Sequence, residues 1–235
     1  LEDGSIDSNG MISAIKPATK LSIVLTPNNP TGLMLTEEEI DKICQNTPSH
    51  VLLFIDEAYH EFALYAGGAN ALEIVKNRKG PWVLTRTFSK AYALAGLRLG
   101  YAVCSSEEIG NALRLATSTF NVSGIAEAAV LAAIEDEKYT KFILDENFKE
   151  MERIKSKCHE LGLSYMDSVT NFICIDTGVA NGDIVNKMRE MNIRVSTPGY
   201  DSKGTFIRVS TGQSEDTTAF LLALESLLAK RDNTC

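Results

Sequence analysis

Lys90 lies in the run Thr85-Arg86-Thr87-Phe88-Ser89-Lys90-Ala91-Tyr92-Ala93-Leu94-Ala95-Gly96-Leu97-Arg98-Leu99-Gly100. An amine set among small and apolar neighbours is a candidate nucleophile, because loss of solvent disfavours its ammonium form. The hydroxyls of Thr87 and Ser89 and the guanidinium of Arg98 suit a phosphate. A surface lysine at the start of a helix is the plainer alternative, and the small apolar neighbours count against it.

Three further segments carry groups of the same kind. In Phe54-Ile55-Asp56-Glu57-Ala58-Tyr59, Asp56 closes an apolar run, where a charge is costly unless paired. It could cap a following helix or serve as a functional carboxylate, with Tyr59 three residues on. In Thr26-Pro27-Asn28-Asn29-Pro30-Thr31-Gly32, two prolines and a glycine prescribe a tight loop, which could be simply a turn or could aim the Asn29 amide into a site. In Phe206-Ile207-Arg208-Val209-Ser210-Thr211-Gly212, Arg208 sits inside a strand-like run. A solvent-facing arginine is common there, and an inward one would clamp a carboxylate or phosphate.

The elements that must position these groups are legible in outline. Leu21 to Thr26, Val51 to Asp56 and Trp82 to Arg86 are continuous apolar runs, as expected of strands buried on both faces. Thr36-Glu37-Glu38-Glu39 is a capping-box pattern opening a helix from Glu37 to Gln45. Strand, helix, strand in this order predicts a mostly parallel sheet with covering helices. Gly100 to Cys104 reads as another strand, Ile125 to Ile134 as a helix, and Asn147 to Leu161 as an amphipathic helix stopped by Gly162. Phe172 to Asp176, Ile193 to Ser196 and Phe206 to Ser210 read as strands, and Asn181 to Met191 and Asp216 to Lys230 as helices. The fold class is therefore α/β followed by a smaller α+β unit, with residues 1–140 and 141–235 as the two domains and the boundary in the charged stretch Glu135 to Lys138. In an open α/β sheet ligands bind beyond the carboxyl ends of the strands, and the segments above sit at strand ends, so one rim should gather them.

Composition narrows the classes. The 235 residues are 44% hydrophobic and 23% charged, ordinary for a globular chain, with a net charge of −8. That balance, without a Lys/Arg stripe, argues against nucleic acid or an anionic membrane as partner. No apolar run approaches the roughly 20 residues of a membrane span. Five widely spaced cysteines without a C-x-x-C pair indicate neither a disulfide framework nor a zinc site, and reduced cytoplasmic thiols are the default. His50, His60 and His159 lie apart, and His60-Glu61 lacks the second histidine of a metalloprotease helix, so no metal is expected.

Taken together, Asn-Pro-Thr-Gly, Asp-Glu-Ala-Tyr, Thr-Phe-Ser-Lys-Ala-Tyr-Ala-Leu-Ala-Gly and Arg-Val-Ser-Thr-Gly, in this order, resemble the class I/II aminotransferases of fold type I, most of all the histidinol-phosphate aminotransferases. The resemblance implies pyridoxal 5′-phosphate as cofactor and a partial large domain followed by a small C-terminal one. Lys90 resembles the Schiff-base lysine that also moves the substrate proton. Asp56 resembles the partner of the pyridinium nitrogen, whose negative charge keeps the ring protonated and electron-accepting. Tyr59 and Asn29 resemble the groups that bond the cofactor's 3′-oxygen, and Thr87, Ser89 and Arg98 its phosphate ligands. Arg208, with Asn29, resembles the substrate-binding set. The implied reaction moves an amino group from histidinol phosphate or an amino acid to a 2-oxo acid such as 2-oxoglutarate. A cytoplasmic homodimer acting in histidine biosynthesis is the corresponding setting.

Two departures from the family pattern modify these expectations. Family members carry about a third more chain ahead of this point, including a phosphate-binding loop, a ring-stacking aromatic residue and a tyrosine that reaches the neighbouring subunit. A fragment with an incomplete cofactor cup is therefore expected. In addition, Ser196 occupies a position where the histidinol-phosphate enzymes usually have arginine, with Arg194 two residues before it. This leaves an aromatic or broad-range aminotransferase, a threonine-phosphate decarboxylase and a non-catalytic remnant as alternatives.

Overall fold

The computed structural model describes residues 3–198, 201 and 203–232. Its contacts divide into two compact units. The first comprises residues 1–28 and 34–143, and the second residues 29–33 and 144–235.

In the first unit, strands β1 (Leu21–Leu25), β2 (Leu52–Asp56), β3 (Trp82–Thr87) and β4 (Gly100–Cys104) form one sheet in the order β1-β2-β3-β4. The first three are parallel and β4 returns antiparallel to β3. Parallel neighbours require crossovers. Between β1 and β2 this is α2 (Glu37–Asn46), following α1 (Ser8–Ser13) at the start of the chain. Between β2 and β3 the connection carries the short helices α3 (His60–Tyr65) and α4 (Ala71–Val75). α2 starts where the capping box predicts: the Glu39 N–H donates to Thr36 Oγ1 at 3.2 Å and the Thr36 N–H to Glu39 Oε2 at 2.9 Å. Its Ile40, Ile43 and Cys44 pack with Val24, Leu53, Ile55, Leu84, Ala71 and Val75 to form the core. Helices α5 (Glu107–Ala116) and α6 (Gly124–Glu135) follow β4.

The apolar runs differ from expectation in one respect. β1 is buried on one face only, with Leu21 and Ile23 47% and 52% exposed. Alternate side chains of a strand leave on opposite faces, and the described residues cover that face of β1 only in part.

The unit boundary falls within α7 (Glu137–Glu160), which starts ten residues before the predicted Asn147. In the second unit, β5 (Ser164–Tyr165), β6 (Phe172–Asp176) and β7 (Phe206–Ser210) form an antiparallel sheet. α8 (Asn181–Glu190) and α9 (Ser214–Asp232) complete it. Ile173, Ile175, Ile207 and Val209 meet Met151, Ile154, Ile184, Met188 and Phe220 in its core. The predicted strand Ile193 to Ser196 does not form. Only Ser196 pairs, in an isolated antiparallel bridge with Arg208. The loop 29–33 belongs to this unit because its backbone and side chains bond there: Val169 N–H donates to the Gly32 carbonyl at 3.0 Å and Cys174 Sγ to the Pro30 carbonyl at 2.9 Å. Gly32 has φ +77°, and a Cβ on it would lie 1.9 Å from Ser168 Oγ, so both the backbone and the contact require glycine.

Candidate active site

Five of the predicted residues, Asp56, Tyr59, Thr87, Ser89 and Lys90, lie at or just beyond the carboxyl ends of β2 and β3, in the first unit. Asp56 is the last residue of β2 and pairs in register with Thr85 of β3. It is half-buried, and its side chain accepts the Ala58 N–H at 3.0 Å, so it caps a turn rather than a helix. Burial pushes its carboxyl above the ordinary range, and the Ala58 N–H offsets this in part. Among the described residues no cation pairs with it.

Tyr59 is 4% exposed and precedes α3. The ammonium of Lys90 stands over its ring, 5.2 Å from the centroid, a cation–π contact joining the ends of two strands. Lys90 itself lies in a bend after β3 and is half-buried, so the helix-start alternative does not hold. Thr87 and Ser89 engage each other. The Thr87 hydroxyl donates to Ser89 Oγ at 2.9 Å and accepts the Ser89 N–H at 3.1 Å. The two oxygens are thereby held side by side at the start of the loop.

Arg98 stands apart from this group. Its guanidinium donates to the Ala95 carbonyl at 2.8 Å, and among the described residues no hydrogen bond joins it to Thr87 or Ser89. It is exposed, with φ +54° and ψ +45°. Ala93, in the same loop, has φ +57°. Two non-glycine residues in the left-handed region store strain of the kind concentrated at functional loops, roughly 1 kcal/mol or more each.

Asn29 and Arg208 belong to the second unit. Arg208 donates to Asn29 Oδ1 at 2.6 Å, and its guanidinium lies 5.1 Å from the Phe172 ring centroid. The Ser196 N–H donates to the Arg208 carbonyl at 3.0 Å, so the serine at the family's arginine position supports the backbone of Arg208. Arg194 is exposed.

One cluster in the first unit lies outside the residues singled out by their sequence pattern. Glu57, whose side chain is 3% exposed, accepts Nε of Arg86 at 2.8 Å, and Arg86 also donates to Asn70 Oδ1 at 2.9 Å. His60 Nδ1 lies 3.4 Å from Glu57 Oε1. The available signal was an acid at the end of one apolar strand and an arginine inside the next. Among the described residues no group of His, Cys, Asp and Glu is arranged to hold a metal ion, and no helix is long and apolar enough to cross a membrane.

The ends of β2 and β3 thus carry a lysine on an aromatic face, a half-buried carboxylate and two aligned hydroxyls. The sequence pattern of the family "Aminotransferase class I and II" matches residues 1–224, and the chain belongs to that family. It is 33% identical over 231 residues to a histidinol-phosphate aminotransferase of Geobacillus sp. (strain WCH70), covering 98% of this chain and 63% of the relative. It is 36% identical over 226 residues to histidinol-phosphate aminotransferase 2 of Hydrogenovibrio crunogenus, covering 94% and 59%. Among solved structures, the histidinol-phosphate aminotransferase of Sinorhizobium meliloti in complex with pyridoxal 5′-phosphate superposes with a TM-score of 0.89 at 29% identity, over 98% of this chain and 63% of that one. The chain thus spans less than two thirds of the length of these relatives.

Proposed function

We propose that this chain is the lysine-bearing part of a pyridoxal 5′-phosphate-dependent aminotransferase, which moves an amino group between histidinol phosphate or an amino acid and a 2-oxo acid such as 2-oxoglutarate. The observation that carries this reading is the Lys90 ammonium over the ring of Tyr59, three residues after Asp56, a carboxylate that has no cationic partner among the described residues. The residues fit the cofactor chemically. Asp56 would hold the ring nitrogen, Tyr59 and Asn29 the 3′-oxygen, and Thr87, Ser89 and Arg98 the phosphate.

When bound, the cofactor supplies a carbonyl that takes up the amino group and a ring that accepts the electron pair left when the substrate's α C–H bond breaks. Lys90 Nζ anchors the cofactor and then carries the substrate's α-proton. The Tyr59 ring holds the protonated Lys90 in place, and the Asp56 carboxylate would keep a positive charge on the cofactor's ring nitrogen. Arg208, oriented by Asn29, binds the substrate's acidic group.

Residues 1–140 are proposed as the cofactor-binding domain and 141–235 as the small domain, a reading supported by the division of contacts between Ile143 and Leu144. A cytoplasmic homodimer serving histidine biosynthesis is the proposed setting. Leu115, Phe120 and Ile125, 88%, 96% and 76% exposed, support burial against a second copy. Sedimentation of the whole protein as a monomer would remove that part of the proposal.

The test is spectroscopic and catalytic. Added pyridoxal 5′-phosphate is expected to give a lysine-bound visible band that Lys90→Ala abolishes, and histidinol phosphate is expected to donate its amino group to 2-oxoglutarate. Identical spectra for wild type and Lys90→Ala would reject Lys90 as the attachment point. Carbon dioxide release from threonine phosphate without 2-oxoglutarate would point to decarboxylation instead.

A further inference from the structure

The Glu57–Arg86 pair occupies the reverse side of the sheet from the proposed cofactor residues. Arg86 lies between Thr85 and Thr87 in β3, so its side chain leaves on the opposite face from theirs. Asp56 is the register partner of Thr85 and shares the Thr85 and Thr87 face. Glu57 continues the ladder past the end of β2, its N–H donating to the Thr85 carbonyl at 2.9 Å. Its side chain therefore emerges opposite Asp56, where Arg86 meets it.

Both carboxylate oxygens of Glu57 and two of the three nitrogens of Arg86 are engaged. Both Nε and one terminal nitrogen of Arg86 lie 2.8 Å from Glu57 Oε2, and the terminal nitrogen reaches Asn70 Oδ1. Glu57 Oε1 accepts the Ala71 N–H at 3.3 Å. A planar guanidinium gripped at two edges fixes both position and angle, which a lysine ammonium does not. A buried ion pair is poor evidence for stability, since apolar replacements are often as stable. Its location suggests a different role. It joins the residue just after β2 to the next-to-last residue of β3, and their immediate neighbours on the other face are Asp56 and Thr87, which leads into Ser89 and Lys90.

We propose that Glu57 and Arg86 are positioning residues. From behind the sheet they fix the separation between the carboxylate at the end of β2 and the hydroxyl and lysine groups at the end of β3, and so the tightness and orientation of the bound cofactor. This inference rests on the proposed cofactor function.

The experiment compares wild type, Glu57→Gln, Arg86→Gln and the double variant. Three quantities are read: the melting temperature of the cofactor-free protein, the Kd for pyridoxal 5′-phosphate, and the circular dichroism of its visible band, which reports ring orientation. Glu57→Gln leaves the Arg86 charge without its carboxylate and Arg86→Gln leaves Glu57 with only the His60 ring at 3.4 Å, so each should melt lower. The double variant removes both charges and should recover most of that loss. Its Kd is nevertheless expected to stay at least tenfold weaker than wild type, with the visible dichroism reduced by half or more. A double variant whose Kd and dichroism match wild type overturns the proposal, as does a Kd that merely follows the melting temperature across the set. If the glutamine variants do not fold, Arg86→Lys, which keeps the charge and loses the fork, gives the same readouts. A Kd and dichroism equal to wild type there again overturn the proposal. Absence of any lysine-bound band in wild type marks failure of the cofactor reading itself, and the inference fails with it.

Discussion

Arg208 donates to the side-chain oxygen of Asn29 at 2.6 Å, across 179 positions of sequence. The bond turns the guanidinium of a strand residue toward the Asn-Pro-Thr-Gly loop and over the Phe172 ring. A charged hydrogen bond of this kind contributes about 1.5–3 kcal/mol, or roughly 10- to 100-fold in binding. Arg208→Ala is accordingly expected to raise KM for the acidic substrate by roughly that factor, with a smaller effect on kcat. Asn29→Asp should raise KM as well, because a carboxylate there holds the guanidinium in competition with the substrate. Unchanged KM values in steady-state assays of the whole enzyme would remove Arg208 from the substrate site.

Asp56 and Glu57 are neighbours with opposite linkage to pH. Burial raises the folded pKa of Asp56, so its contribution favours folding at low pH and is lost as pH rises through that folded value. Burial also acts to raise Glu57, but the adjacent His60 ring and the Arg86 charge outweigh it and lower its pKa. Its contribution is present above the unfolded value and is lost as pH falls through the folded one. At pH 7, Asp56→Asn should therefore raise the melting temperature of the cofactor-free protein, and Glu57→Gln should lower it. Near pH 3 both differences should shrink. Asp56→Asn should also weaken cofactor binding. A melting temperature lowered at pH 7 by Asp56→Asn would show that the carboxylate is already compensated.

The first three strands and their parallel course, the start of α2 and the lysine loop were legible because each has a local signal: apolar runs alternating with a helix, a capping box, and reactive groups among small residues. Glu57–Arg86 was not legible, because it joins residues 29 apart through the face of the sheet that hydrophobic patterning assigns to core. The start of α7 was missed because Glu137 to Glu146 is too charged to show an apolar stripe, and the predicted strand at 193–196 reduced to one bridge because only Ser196 meets β7. Asn29 as a partner of Arg208 rests on chain folding over 179 residues, which no spacing rule encodes.

Three thiols should be inert. Burial pushes Cys44 and Cys174 up to about 11 and Cys158 to about 12, so almost none of any of them is thiolate at pH 8. Native alkylation at pH 8 followed by peptide mapping should leave all three unmodified, with modification appearing only on denaturation. Rapid labelling of any one of them in the native protein would contradict its burial. The result also bears on assay design, since thiol reagents should then leave the cores of both units intact.

Gly100 faces Thr87 across the β3–β4 ladder, and a Cβ on it would lie 2.7 Å from the Arg86 carbonyl oxygen. That oxygen is backbone and cannot swing aside, so the added methyl must push β4 away from the strand that ends in Thr87, Ser89 and Lys90. Overpacking of this kind costs about 1–3 kcal/mol. Gly100→Ala should lower the urea midpoint accordingly and weaken cofactor binding by displacing the two hydroxyls. Gly96→Ala is the matched control, because a Cβ there meets nothing within 4 Å. It should change stability by no more than about 0.5 kcal/mol. Equal urea midpoints for the two variants would mean that β4 yields without cost, and that the end of β3 is held from the Glu57 side alone.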